Sequence, residues 1–404
     1  MYVERLKIEN MKCFESAQID LNHPRKKYGA NEPRLKNVNL LLGVNGVGKT
    51  TLCQALCIAV LKNILATSAG GFLTSGTQRF IRQKGSVSDI TATLNLSKQD
   101  GNEGKVEARG TLKDFSGTEV LESRGQPAKW AAPIFDENAP SFFLAAYSVN
   151  RRTERPEAYN ERLRHARYHR VATLFEPHVG LIPFSLAMRT IVTRHKEVRD
   201  IINKLVTFGS KKDTKNDYVQ LSEAGLNSIE PTFDADGAEL PLSALSDGYR
   251  MHIGWIVDFI TQLAKVLPLE TRLDEAEGVV IVDEIDLLLH PEWQRYVVET
   301  LAEAFPRIQF LLTTHSPIVV GTLEAQNLFL VERIAPHTSH IQPCEEKVFG
   351  LSIDTILVRL FGLQSPRAPY LEEKLAELAE KAQKGDRNAS LEYLHRLSAG
   401  VVEL

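Results

Sequence analysis

One short run limits what this chain can fold into more than anything else in it: Gly43-Val44-Asn45-Gly46-Val47-Gly48-Lys49-Thr50, which fits G-x-x-x-x-G-K-[ST]. An apolar stretch, Val38 to Leu42, precedes it, and a helical pattern from Lys49 to about Leu65 follows. Buried strand, glycine loop and helix together make the context a phosphate-binding loop requires. Glycines let the backbone wrap closely, so successive N–H groups point at phosphate oxygens, and the helix N-terminus adds positive potential. The residues expected in this cradle are Gly43, Asn45, Gly46, Val47, Gly48, Lys49, Thr50 and Thr51. Lys49 is a point charge for β- and γ-phosphates, and the Thr50 hydroxyl is a ligand for Mg²⁺. The competing reading is an ordinary turn before a helix, and Gly-Lys-Thr in this setting argues against it.

Three further motifs follow in order. Gly278-Val279-Val280-Ile281-Val282-Asp283-Glu284 is an apolar strand ending in two acids, which puts both at the carboxyl edge of a sheet, where ligands bind. Asp283 is expected to hold Mg²⁺, and Glu284 to polarise a water as general base. A solvated acidic turn is the plainer alternative. Leu245-Ser246-Asp247-Gly248-Tyr249-Arg250 opens a long apolar helix about 35 residues earlier in the chain. Ser246 alone would read as a helix cap. With Gly248 it also makes an anion site that the chain's own glycine loop does not use, and so one suited to a second subunit's γ-phosphate. His315, in Leu311-Leu312-Thr313-Thr314-His315-Ser316-Pro317, follows another strand; a neutral imidazole there can donate to the γ-phosphate or orient the water.

The remainder is coarser. The 404 residues are 43% hydrophobic and 25% charged with a net charge of -3, so any nucleic-acid surface must be a local patch. Four cysteines without metal-ligand spacing suit a reducing cytoplasm, and Cys53 and Cys57 read as small buried side chains. No signal peptide and no run of 18 apolar residues is found, so no membrane association is expected. Four segments are expected: a head lobe over 1–150, a basic helical insertion over 151–240 with a mobile loop from Gly209 to Asp217, a second head lobe over 241–344, and a helical appendage over 345–404. Within the insertion, Arg162, Arg164, Arg167 and Arg170 stand with no acid among them, readable either as a solvated face or as a phosphate-contacting surface for nucleic acid.

The order glycine loop, Leu-Ser-x-Gly, Asp-Glu, His resembles the SMC/RecF-like branch of ABC ATPases, which includes compact bacterial AAA-family proteins of phage defence. Ile8-Glu9-Asn10-Met11-Lys12-Cys13-Phe14 is similar to that branch's opening, and Leu289-His290-Pro291-Glu292-Trp293-Gln294 to the segment standing where ABC proteins have the D-loop. The resemblance implies an α/β, two-lobed P-loop ATPase head that binds ATP and Mg²⁺ and dimerises, or forms a higher oligomer, through shared ATP sites. It also implies that Lys12 approaches the phosphates. The branch has a Mg²⁺-contacting glutamine before its inserted arm; here Asn150 stands nearest, without firm alignment. An ATPase of defence or DNA repair, controlling a separate effector such as a nuclease or toxin, is the leading expectation. The ATPase subunit of a membrane transporter and a self-contained nuclease remain as alternatives. The non-transporter signature speaks against the first, and the few residues after His315 against the second.

Overall fold

The alternation of Leu6 and Ile8, then Ile19 and Leu21, becomes an antiparallel hairpin of β1 (Tyr2–Met11) and β2 (Phe14–Asp20), with Leu6 opposite Ile19. The computed structural model in which this is seen describes residues 1–29, 31–68, 79–83, 85–122, 129–156, 159–160, 165–206, 219–222, 232–235, 237–365 and 367–399. β3 (Val38–Leu42) leads into the glycine loop, and α1 (Lys49–Ser68) leaves it. β4 (Val87–Leu96), β5 (Gly104–Phe115) and β6 (Thr118–Leu121) extend the hairpin into a five-stranded antiparallel sheet of order β2-β1-β4-β5-β6. β4 alternates buried and half-buried residues along its whole length, as a strand with one covered face must.

β7 (Leu144–Tyr147) precedes the insertion, which holds α2 (Ala166–His169), α3 (Phe184–Thr190) and α4 (His195–Val206). The insertion was expected to be helical, yet it also carries a small antiparallel sheet of β8 (Val219–Leu221), β9 (Thr232–Ala235) and β10 (Ala238–Pro241). Strands of three or four residues are too short to show alternation. The loop expected from Gly209 to Asp217 lies outside the described residues.

The chain returns through α5 (Asp247–Val266), β11 (Gly278–Val282), α6 (Pro291–Gln294), α7 (Val297–Ala304), β12 (Ile308–Thr314), α8 (Pro317–Gly321), β13 (Leu328–Ala335) and β14 (Thr338–Pro343). A six-stranded sheet of order β14-β13-β3-β12-β11-β7 results, parallel except for β14. Strands from before and after the insertion thus share one sheet. The carboxyl ends of β3, β12, β11 and β7 coincide, because Val282 pairs with both Tyr147 and Leu312, and Leu42 pairs with Thr314.

α1 lies between the two large sheets. Leu52, Leu56, Ile58, Leu61 and Ile64 share one buried cluster with Leu6 and Ile8 of β1, Leu94 of β4, and Val279, Ile281 and Leu311 of the parallel sheet. A helix covered on both sides is apolar all round. Each such side chain contributes on the order of 1.5–3 kcal/mol by burial. Residues 49–66 would also be long and apolar enough to cross a membrane, with a mean hydropathy of 1.3 over the window, but 78% of that window is buried inside the fold. The apolar surface is therefore already spent on the core.

The arginine cluster is corrected by its surroundings. Arg167 is 1% exposed and Arg170 is 3% exposed. The Arg167 guanidinium donates to the carbonyls of Ser141 (2.8 Å), Phe142 (2.9 Å), Pro133 (3.2 Å), Asp136 (2.8 Å) and Ala139 (3.3 Å). Arg170 lies over the Phe143 ring at 5.2 Å. These two side chains organise the loop before β7 and do not reach a nucleic-acid backbone. Arg162 and Arg164 lie outside the described residues.

Residues 351–404 form a second compact unit. It contains α9 (Ile353–Arg359), α10 (Pro369–Gln383) and α11 (Arg387–Ala399). Leu375 and Leu378 of α10 are buried, as is Ala389 of α11, whereas Leu391 and Leu394 are each 60% exposed. Gly385, at φ 95°, turns the chain between α10 and α11.

Candidate active site

The coincident strand ends of the parallel sheet put the glycine loop after β3, Ser148–Arg151 after β7, Asp283-Glu284 after β11 and His315 after β12 along one edge. Crevices at such edges are where open α/β sheets bind ligands. Residues 233 and 266 positions apart in sequence meet there through side chains.

Thr50, at the start of α1, donates from Oγ1 to Asp283 Oδ2 at 2.7 Å. Thr313, at the end of β12, donates to the other oxygen, Asp283 Oδ1, at 2.6 Å. Both carboxylate oxygens are thereby oriented, and Asp283 is 4% exposed. The Thr313 hydroxyl also accepts from the Glu284 amide at 2.8 Å. Lys49 Nζ donates to the Gly43 carbonyl at 2.7 Å and meets His315 Nε2 at 2.8 Å. An ammonium carries only donors, so His315 Nε2 accepts and the ring proton sits on Nδ1. Burial, and then Lys49, hold the His315 pKa below its ordinary value, which keeps the ring neutral. Burial also lowers Lys49, against the pull of Asp283, Glu284 and Asp286. Glu284 is raised by burial and by Asp283 and Asp286, with Lys49 and Arg151 opposing. A raised carboxylate is a stronger base.

The glycine loop is tight where it passes the amino-terminal hairpin. Gly48 has φ +110°, and a Cβ on it would lie 2.4 Å from Cys13 Sγ. Cys13 Sγ in turn donates to the Val47 carbonyl at 3.2 Å. Asn45 and Gly46 are exposed, while Val47 and Thr51 are buried. Lys12 is not aimed at the loop: its ammonium donates to Gln54 Oε1 at 2.9 Å and lies 4.6 Å over the Phe80 ring. Gln54 is one helical turn beyond Thr50. Asn150 is exposed just past β7, its amide donating to Ser148 Oγ at 3.1 Å.

Ser246 stands at the N-cap of α5, but its side chain makes no capping bond and is exposed. A Cβ on Gly248 would lie 2.5 Å from the Leu288 carbonyl, so only glycine lets this helix start rest against the turn that follows Glu284. Next along, the Tyr249 ring meets Trp293 edge-on at 4.2 Å between centroids. The start of α5 and the Leu-His-Pro-Glu-Trp-Gln segment are thus packed together within one chain.

Several contributors carry no sequence motif. Asp286 accepts from Thr314 Oγ1 at 2.5 Å, and Ser316 donates to Gln294 Oε1 at 2.6 Å, which ties the His315 loop to α6. Arg151 donates from Nη2 to the Asp283 carbonyl at 2.8 Å and also to the Glu284 carbonyl. One signal was present: β12 is buried at every position, yet ends in two threonines, and buried hydroxyls must find partners.

A hydroxyl and a carboxylate converging in this way are hard oxygen donors of the kind Mg²⁺ takes, with room left for phosphate and water oxygens. The residues present therefore fit the ion.

Comparison with known proteins gives one family: that described as "AAA domain, putative AbiEii toxin, Type IV TA system" matches residues 38–321. Among curated relatives, "Septu protein PtuA" of Bacillus mycoides (strain KBAB4) is 25% identical over 372 residues, 90% of this chain and 45% of that protein. "Retron Vc95 probable ATPase" of Vibrio cholerae serotype O1 biovar El Tor is 32% identical over 168 residues, 41% of this chain and 32% of that protein. The chain thus spans less than half the length of these two relatives. Among solved structures, the SMC head domain from Thermotoga maritima is 15% identical with a TM-score of 0.46, covering 86% of this chain and 100% of that one.

Proposed function

Because the chain belongs to this AAA domain family, we propose that it binds ATP with Mg²⁺ at the carboxyl edge of the parallel sheet and hydrolyses it between two copies of itself. The observation that carries this reading is the Asp283 carboxylate, held by Thr50 on one oxygen and Thr313 on the other. Lys49 and the amides of residues 43–51 take the phosphates. Thr50 and Asp283 hold the metal, which when bound would neutralise charge on the transferring phosphate. Glu284 takes the proton of the attacking water, and the neutral His315 orients the phosphate side of the site. In-line attack needs little covalent chemistry from the protein, so positioning and charge do most of the work.

Ser246 and the amides around Gly248 complete the partner copy's site. The exposed, uncapped Ser246 side chain supports this part of the reading, together with the 20-residue helix behind it, whose dipole favours an anion at that end. ATP then holds two heads together and hydrolysis releases them. With a Septu protein and a retron ATPase among its relatives, the chain works in the cytoplasm in anti-phage defence, and its opening and closing control a separate effector protein, a nuclease or toxin.

The test is Glu284→Gln, which keeps the shape but removes the base. It should bind ATP, lose on the order of 10²–10⁴-fold in turnover, and accumulate as an ATP-bound dimer in sedimentation. A wild-type protein that hydrolyses no ATP, or a variant with wild-type turnover, would overturn the proposal.

A further inference from the structure

We infer that Arg151 is a positioning residue for hydrolysis, holding Glu284 in the one backbone conformation from which its carboxylate serves the site. The inference rests on Glu284 being the base proposed above.

Glu284 has φ 50°, in the left-handed region that a side chain with a Cβ seldom occupies. Such a conformation persists only where its surroundings fix it. Both sides of the residue are fixed here. Its amide donates to Thr313 Oγ1 at 2.8 Å. Its carbonyl accepts from Arg151 Nη2 and from the Leu287 amide, the latter at 3.1 Å. The same Arg151 nitrogen reaches the Asp283 carbonyl at 2.8 Å, so one guanidinium spans the two consecutive peptides that set the direction of the Glu284 side chain.

Arg151 can do this because its own backbone is held. It follows β7, whose Tyr147 carbonyl accepts from the Asp283 amide at 2.8 Å. The next residues are zipped to a second segment: the Leu181 amide donates to the Arg152 carbonyl at 2.8 Å, and the Glu154 amide to the Leu181 carbonyl at 3.0 Å. Arg151 is 3% exposed, so water does not replace the contacts it makes. The Asp283 side chain is secured separately by Thr50 and Thr313, so the Mg²⁺ and phosphate residues do not depend on Arg151.

The experiment measures ATP affinity, kcat and KM for wild type, Arg151→Gln and Arg151→Lys, each alone and combined with Glu284→Gln. Arg151→Gln should bind ATP as wild type does and lose kcat on the order of 10²-fold, with KM little changed. Arg151→Lys, which keeps the charge but not the fork, should recover part of the loss. In the Glu284→Gln background the Arg151 change should add nothing further, since residues acting through one group are not additive. Unchanged kcat in Arg151→Gln, or the same loss persisting without the Glu284 carboxylate, overturns the inference. Should Arg151→Gln not fold, Arg151→Lys alone is read by the same two criteria. A wild-type protein without ATP turnover overturns the underlying reading instead, and is distinguished by that.

Discussion

Thr313→Val isolates the hydroxyl that joins the two acidic residues. Valine nearly matches threonine in volume, so the change is chiefly chemical. Thr313 is 0% exposed. It donates to Asp283 Oδ1 at 2.6 Å and accepts from the Glu284 amide at 2.8 Å. A hydrogen bond to a charged group is worth about 1.5–3 kcal/mol, and a buried N–H left without an acceptor costs about 1–3 kcal/mol. With the Thr313 side chain fully buried, the two add to roughly 2.5–6 kcal/mol, a large share of the ~5–15 kcal/mol that a folded domain has. The assay is urea unfolding followed by circular dichroism. The midpoint should fall with the slope unchanged, since the surface exposed on unfolding is the same. Turnover should fall as well, because Asp283 and Glu284 lose a shared anchor. A variant within about 0.5 kcal/mol of wild type, the range of an ordinary surface substitution, would refute the reasoning.

Three more outcomes follow from the same geometry. Lys49→Ala should abolish most ATP binding in calorimetry, because phosphate charge would then face backbone dipoles alone; unchanged affinity would remove the glycine loop from the site. The acid limb of kcat should lie above the ordinary glutamate range, since burial, Asp283 and Asp286 raise Glu284 and it is therefore protonated sooner as pH falls; Asp286→Asn should move that limb to lower pH, and a limb that stays put would contradict the assignment of the base. Arg167→Ala should lower stability by about 3 kcal/mol or more, because a buried carbonyl left without a donor costs about 1–3 kcal/mol and those of Ser141, Phe142 and Ala139 lose the guanidinium; an equally stable variant would contradict the structural role given to it.

What the sequence made legible was local. Glycine loop, Asp283-Glu284 and His315 each follow an apolar strand directly, so their place at a sheet edge could be read from the strand alone, and the register of β3, β11 and β12 aligns them. Arg151 was visible only as one charge among many, because its partners lie more than 130 residues away and charge carries no direction. Arg167 misled for the same reason: its carbonyl partners come from a loop of turns before β7 that has no pattern pointing to it. The breadth of apolar surface on α1 was likewise unreadable without the second sheet that covers it.

The central claim is that each ATP site is built from two chains, and mixing two inactive variants tests it most directly. Lys49→Ala lacks the phosphate lysine; Ser246→Arg spoils only the site of its partner. A mixed dimer would contain one site with Lys49 from one chain and Ser246 from the other, both intact. Equimolar mixing should therefore restore about a quarter of wild-type turnover, given random pairing in a two-fold dimer. A mixture that stays at the background of the separate variants would contradict the shared site.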